Sequence, residues 1–304
     1  CRVYGFSRSN EPPKILLKYK CSKNIRNFKF IKCDLNKNLS LVLKFLKKNK
    51  FDYIVDFLGQ GMVAESWNHP HRWYETNIVL KAKLYNFLSK NKKFKKYIRI
   101  STPEAVGNIQ GFIFENTKAN PSTPYGISHL ATDLTLLAYY KYNKFPFVIS
   151  RFSNFYGPHQ QLYRLIPRTL YCIFNNKKLL LHGGGKSVRS FIYIDDFCEG
   201  IYKSMIKGRP GEIYNFTSRE YVFIRWLVKK ICFLTSMNFN KLVKIAKDRP
   251  TKDNVYKMDP TKAEKELNWK AKYTIKEGLE KTIKWHKKNR KILSRLKNIY
   301  VYKQ

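Results

Sequence analysis

Two short stretches of this chain combine residue types that can move protons. Ser101-Thr102-Pro103-Glu104 places two hydroxyls and a carboxylate within four residues. Tyr125-Gly126-Ile127-Ser128-His129 places a phenol and an imidazole four residues apart. On a helix, residues i and i+4 share a face, so Tyr125 and His129 point the same way. A cation at that distance stabilises phenolate and lowers the pKa of the tyrosine. Such a tyrosine can take a proton from a sugar hydroxyl while hydride leaves the same carbon. A hydroxyl at Ser101 or Thr102 can hydrogen-bond that same sugar oxygen, and Glu104 beside it can act as a base toward a carbon acid.

These groups meet only if strand ends and a helix start are brought together, and the surrounding pattern provides both. Strands are predicted at Val3–Phe6, Phe28–Lys32, Asp52–Leu58, Tyr97–Ile100 and Phe147–Ser150, from short β-rich runs that end in turn residues. Helical periods run through Leu41–Lys48, Ile78–Leu88 and Tyr125–Tyr142, the last opening after Pro121-Ser122-Thr123-Pro124. Strand and helix in alternation predict an α/β fold with a doubly wound parallel sheet and right-handed crossovers. Ligands of such sheets sit at the carboxyl ends of the strands, which directs attention to Ser7–Ser9, Asp34, Gly59–Gly61 and Ser101–Glu104. After Asn154 the alternation weakens. A glycine turn at Gly183–Gly185, a strand at Ser190–Ile194 and a helical period at Leu279–Trp285 read as a smaller, mixed α/β unit. The boundary falls at residue 157, giving units 1–157 and 158–304, with part of 188–218 returning to the first.

Composition excludes several classes. With 304 residues, 43% of them apolar, the chain can build a real core and is not a disordered polymer. No run reaches the roughly 18 apolar residues of a membrane helix, and no apolar leader opens the chain. The six cysteines are scattered without a C-x-x-C pair, which suits a reducing cytoplasm better than a zinc site or a disulfide scaffold. The formal charge is +39, from 60 basic and 21 acidic residues. The lysines are spread along the chain between apolar positions, which reads as solvent faces. No basic motif interleaved with aromatics marks a nucleic-acid surface. The net field favours anionic small molecules in a cleft.

Several ordered stretches resemble the extended short-chain dehydrogenase/reductase family, and within it the nucleotide-sugar 4,6-dehydratases of the dTDP-glucose and GDP-mannose type. They are DYIVDFLGQGMVAESW at 52–67, ETN at 75–77, ISTPEAVG at 100–107, ENTKANPSTPYGISH at 115–129 and RFSNFYGPHQQ at 151–161. HGGGKSVRSFIYIDD at 182–196 and DRPTKDNVYKMD at 248–259 follow. The resemblance implies a Rossmann-type dinucleotide-binding unit with a substrate-binding C-terminal unit. It implies that Thr102 binds the sugar 4-hydroxyl, that Glu104 removes the C5 proton and that Tyr125 deprotonates the 4-hydroxyl. His129 stands where the family has a lysine that binds the nicotinamide ribose. The implied reaction oxidises C4, loses water across C5 and C6 and returns hydride to C6, leaving a 4-keto-6-deoxy sugar nucleotide.

Cofactor and substrate contacts follow from the same resemblance. Relatives that prefer NAD carry an acidic residue after the second strand. Here Ser7, Arg8 and Ser9 stand there, which favours a 2′-phosphate and so NADP over NAD. Asp34 and Leu35 match the adenine contacts, Gly59 and Gln60 the strand end beside the cofactor, and Ser101 a position near the nicotinamide. Asn77 matches a structural asparagine of the family. Asn154, Arg189, Asn215 and Arg249 match contacts to the sugar and its phosphates. Pairing through two long helices implies a homodimer, for which Ile78–Leu88 and Tyr125–Tyr142 are candidates.

Three departures qualify the expectation. The family's G-x-x-G-x-x-G phosphate loop is not in the sequence, which begins at Cys1 near the second strand, so a first βα unit is expected to be missing. His129 replaces lysine, and a neutral imidazole offers the tyrosine no charge near pH 7. Pro103 replaces the aspartate of the dTDP-glucose type, a residue that the GDP-mannose type also lacks. Glu104 favours dehydration over C4 epimerisation, which needs no carboxylate there. An epimerase or reductase on the same scaffold, and a binding protein with impaired catalysis, remain the alternatives. The nucleotide and the sugar stay open.

Overall fold

The computed structural model describes residues 1–248 and 253–300. The first half alternates strand and helix: β1 (Val3–Ser7), β2 (Phe28–Lys32), α1 (Leu35–Lys48), β3 (Tyr53–Asp56), α2 (Pro70–Tyr74), α3 (Leu80–Lys90), β4 (Lys96–Ser101), α4 (Pro124–Asn143) and β5 (Phe147–Phe152). A π-turn at Glu75–Val79 joins α2 to α3. The second half adds β6 (Asn154–Tyr156), α5 (Leu165–Phe174), β7 (Leu179–His182), β8 (Val188–Tyr193), α6 (Ile194–Ile206), β9 (Glu212–Phe216), β10 (Tyr221–Phe223), α7 (Ile224–Leu234) and α8 (Phe239–Leu242). It closes with β11 (Val243–Ala246), α9 (Thr261–Leu267), α10 (Ile275–Lys288) and α11 (Arg290–Leu293).

The expected α/β architecture with a parallel Rossmann-like sheet is present. β3, β4, β5 and β9 form one four-stranded sheet in that order, and every pairing is parallel. β1 and β2 pair in parallel as a separate two-stranded sheet. β5 is buried along its whole length, as a strand covered on both faces must be. Along β4 the side chains alternate. Tyr97 joins a core with Leu84, Tyr85, Leu136 and Phe147, whereas Ile98 joins Phe152, Phe197, Phe216 and Trp269 across the sheet. Arg99 and Ser101 share the face of Tyr97, toward α4. Among the described residues no helix is long and apolar enough to cross a membrane.

Element boundaries moved where caps intervene. α1 starts at Leu35 rather than Leu41, because the Asp34 carboxylate accepts from Asn36 N at 3.0 Å and opens the helix early. β3 stops at Asp56, whose carboxylate turns back to accept from Leu58 N at 2.8 Å. α4 begins as Thr-Pro dictates: Thr123 accepts from Gly126 N at 3.0 Å, and Pro124 occupies the first turn.

One buried histidine makes stability depend on acid. His286 on α10 is 1% exposed, and burial pushes its pKa down to about 4. The unfolded chain therefore takes up this proton first as pH falls below about 6.5. Stability is complete above that pH and declines by about 3 kcal/mol toward pH 4. His129 acts in the same direction. Urea midpoints of a His286→Leu variant should fall less steeply over this range; a slope equal to the parent's would show that His286 takes no part.

Candidate functional site

The site forms where the end of β4 meets the start of α4. Gly126 is what allows the approach: a Cβ there would lie 2.5 Å from the Glu104 carbonyl oxygen. Helix α4 thus packs directly on the 103–105 turn, and Tyr125 comes beside Thr102 and Glu104. The Thr102 hydroxyl donates to the Glu104 carboxylate. Tyr125 and His129 share a face of α4, their ring centroids 4.4 Å apart.

The electrostatics differ from the expectation of a lowered tyrosine pKa. Burial raises the Tyr125 phenol above its usual range, and the Glu104 charge raises it further. A hydrogen bond with Thr102 and the charges of Arg164 and Arg99 act in opposition without prevailing. His129 supplies no charge: burial, Arg99 and Lys81 hold it well below the ordinary histidine range, so its ring is neutral.

Beneath these rings lies a charged cluster that sequence reading missed. Arg99 is 1% exposed, and one terminal nitrogen lies 2.8 Å from His129 Nδ1. Its Nε is 3.4 Å from Asp133, and its other terminal nitrogen 4.0 Å from Asp56. Lys81, equally buried, sits 2.8 Å from Asp56. Ser101 donates to Asp133 at 2.5 Å, so its hydroxyl is engaged away from the mouth of the site. Burial alone would raise Asp56, but Lys81 and Arg99 outweigh it and hold the carboxyl below its usual value. Burial, reinforced by Arg99, lowers Lys81 to about 8 despite its anionic neighbour. The signal was available: Asn77, Lys81, Leu84, Tyr85 and Leu88 form one buried stripe of the 75–90 helical run, and a lysine inside such a stripe is not solvated.

The other candidate residues separate into groups. At the end of β1, Arg8 donates to Gln60 Oε1 at 3.0 Å, and the Ser7 hydroxyl accepts from Ser9 N. Asp34 caps α1, with Leu35 half-buried behind it. Asn77 clamps the loop after β3: its Oδ1 accepts from Gln60 N at 2.7 Å and its Nδ2 donates to Ser128 Oγ at 2.9 Å. Gly59 fits tightly there, since a Cβ would lie 3.3 Å from Asn77 Oδ1, whereas Gly61 faces open space. Asn154 and Arg189 line a small cleft together with Pro103, Ser190, Thr217 and Tyr256. Arg189 stacks on Tyr256 at 4.3 Å and donates to the carbonyls of Val188, Asp253 and Asn254. Asn215 is fully buried, its Nδ2 donates to Ile113 O at 3.0 Å and its Oδ1 accepts from Arg151 at 3.3 Å. Arg249 lies outside the described residues.

A family model described as GDP-mannose 4,6 dehydratase matches residues 2–282. The human dTDP-D-glucose 4,6-dehydratase is 32% identical over 279 residues, 88% of this chain and 77% of that one. The structure of DesIV, a dTDP-glucose 4,6-dehydratase from Streptomyces venezuelae with NAD and TYD bound, superposes with a TM-score of 0.86 at 26% identity, over 96% of this chain and 89% of that one. A UDP-glucuronic acid 4-epimerase from Bacillus cereus, in complex with a UDP-sugar and NAD, gives 0.83 at 25% identity, over 94% and 91%.

Proposed function

The chain belongs to the GDP-mannose 4,6-dehydratase family, and from that premise we propose that it is a nucleotide-sugar 4,6-dehydratase, a hydro-lyase that converts a nucleoside diphosphate hexose to its 4-keto-6-deoxy form. The observation that carries the reading is Glu104, hydrogen-bonded by Thr102 and close enough to Tyr125 to raise its phenol. Loss of water across C5 and C6 needs a base for the C5 proton, and the C4 ketone acidifies that proton. A simple 4-epimerase has no use for such a carboxylate.

The chain's own groups divide the work. Thr102 holds the sugar 4-hydroxyl. Tyr125 accepts its proton as C4 is oxidised. Glu104 takes the C5 proton and passes it to the C6 hydroxyl, which leaves as water; a proton equivalent to the one Tyr125 accepted returns to C5 as hydride adds at C6. His129, beside Tyr125, donates toward the ribose of the cofactor. The donor set at Thr102, Tyr125 and His129 suits the nicotinamide riboside end of NAD(P), and the tight turn at Gly59–Gln60 suits close approach of that group to the end of β3. When bound, the nicotinamide supplies the hydride acceptor at C4 and the hydride donor at C6. At the adenosine end, the N–H groups of Arg8 left beyond Gln60 suit a 2′-phosphate and favour NADP. Asn154 and Arg189, in the cleft beyond Pro103, are assigned to the sugar and its phosphates.

The test is incubation with dTDP-glucose, UDP-glucose or GDP-mannose and either dinucleotide. Expected is a product lighter by one water that develops the alkaline absorbance of a 4-keto-6-deoxy sugar. A Glu104→Gln variant should lose water release by about 10²-fold or more while C4 oxidation persists. Inversion at C4 without water loss would replace this reading with the epimerase one.

A further inference from the structure

We propose that Arg99 is a positioning residue for this site: it holds His129 as a neutral imidazole protonated on Nε2, and carries, behind that ring, the fixed positive charge that position 129 lacks. The second half of this inference rests on the dehydratase reading; the first half does not. A guanidinium has five N–H donors and no acceptor. With an Arg99 terminal nitrogen 2.8 Å from His129 Nδ1, Nδ1 must accept, and the single ring proton of neutral imidazole is left on Nε2. Among the described residues, no other hydrogen bond to the ring competes with this assignment.

The guanidinium is itself held by two carboxylates. Asp133, one turn after His129 on α4, faces Nε at 3.4 Å. Asp56, its cross-strand neighbour in the β3–β4 register, lies 4.0 Å away. Lys81 on α3 pairs with Asp56 at 2.8 Å. The groups facing His129 are therefore Arg99 from β4, Tyr125 and Asp133 from its own helix, Lys81 from α3 and, behind them, Asp56 from β3. Unlike a lysine or a histidine, Arg99 cannot lose its proton in the working range. The charge that Arg99 itself contributes is thus independent of pH, and the imidazole serves as an oriented donor rather than a cation. One residue that both holds the phenol and is charged becomes two: a donor on α4 and a charge on β4.

The decisive measurement is nitrogen NMR of the imidazole of His129 in the intact, unmodified chain. A neutral ring protonated on Nε2 from pH 8 down to pH 5.5 is expected. A proton on Nδ1, or an imidazolium at pH 6, would overturn the proposal, and neither outcome depends on which reaction the protein catalyses. The charge is tested by kinetics on the best sugar nucleotide, comparing Arg99→Met in two backgrounds. With His129 present, the change should lower kcat by on the order of 10²-fold, with KM little altered. In a His129→Lys background, where Arg99 would repel the new ammonium, the same change should leave kcat unaltered or raise it. An equal loss in both backgrounds would reduce Arg99 to a structural residue. Absence of turnover in the parent with every sugar nucleotide would instead fail the dehydratase reading, with the tautomer assignment still decided by NMR.

Discussion

Replacing Tyr125 with phenylalanine is expected to lower kcat by about 10²- to 10⁴-fold while KM changes little. The phenyl ring keeps the contact with His129, whose centroid lies 4.4 Å away, and Gly126 still seats the start of α4 against the Glu104 carbonyl. What is removed is one oxygen and its ability to take a proton as C4 is oxidised. An interaction used only in the transition state appears in kcat rather than in binding. The pKa of the phenol adds a second signature. Burial and the Glu104 charge raise it, and Thr102, Arg164 and Arg99 oppose that rise without reversing it. The phenol is therefore protonated at neutral pH in the free chain, and the parent's rate should climb as pH rises above neutral. The variant should lose that climb along with its activity. Retention of more than about a tenth of the parent kcat, or an unchanged alkaline limb, would mean that Tyr125 is not the proton acceptor.

Much of this site was legible because its pieces are local. Thr123 and Pro124 announce the start of α4, and Tyr125 and His129 share a face by helical spacing alone. Thr102 and Glu104 follow a strand whose end is marked by Ser101. The charged cluster was not legible in the same way, because its members come from β3, α3, β4 and α4. Asp56 meets Arg99 only through the register that pairs them across two strands, and no local pattern encodes a register. Part of the signal was still present. Arg99 alternates with Tyr97 and Ser101 on one face of a buried strand, and Lys81 interrupts an apolar stripe. Counting the basic residues as a solvated excess concealed both. Asn215 shows a different limit. Its motif resembles a ligand contact, and where β9 lies beside β5 its amide hydrogen-bonds Arg151 and Ile113, which no motif announces. Motif similarity carries a residue to the right strand without saying what its side chain touches. The sign of the Tyr125 shift was missed for a related reason: helical spacing places His129 correctly, but only the cations packed beneath it decide that it stays neutral.

The same cluster gives the largest expected effect on stability, at Asp56. Two cations and two carboxylates balance there, and all four residues are buried. Asp56→Asn keeps the shape and an acceptor for Leu58 N, but leaves Lys81 and Arg99 facing Asp133 alone, with an amide N–H₂ able to turn toward the Lys81 ammonium. Removing one partner of a buried pair costs about 3–5 kcal/mol, because the remaining charge is desolvated without compensation. Lys81→Met made together with Asp56→Asn removes one charge of each sign and leaves Arg99 with Asp133. The double variant should therefore recover about half of the loss or more, since a neutral replacement of a buried pair is tolerated far better than a broken one. Titration separates this from a packing defect. Lys81 already sits at about 8 in the parent, and loss of its anion drives it lower. A lysine whose folded pKa is depressed destabilises the chain while it is charged, and that cost is relieved as pH rises through the folded value. The Asp56→Asn deficit, read from urea unfolding, should thus narrow between pH 6 and pH 9. A deficit below about 1 kcal/mol, or one that is flat with pH and not relieved by Lys81→Met, would show that the four charges are not coupled as their distances imply.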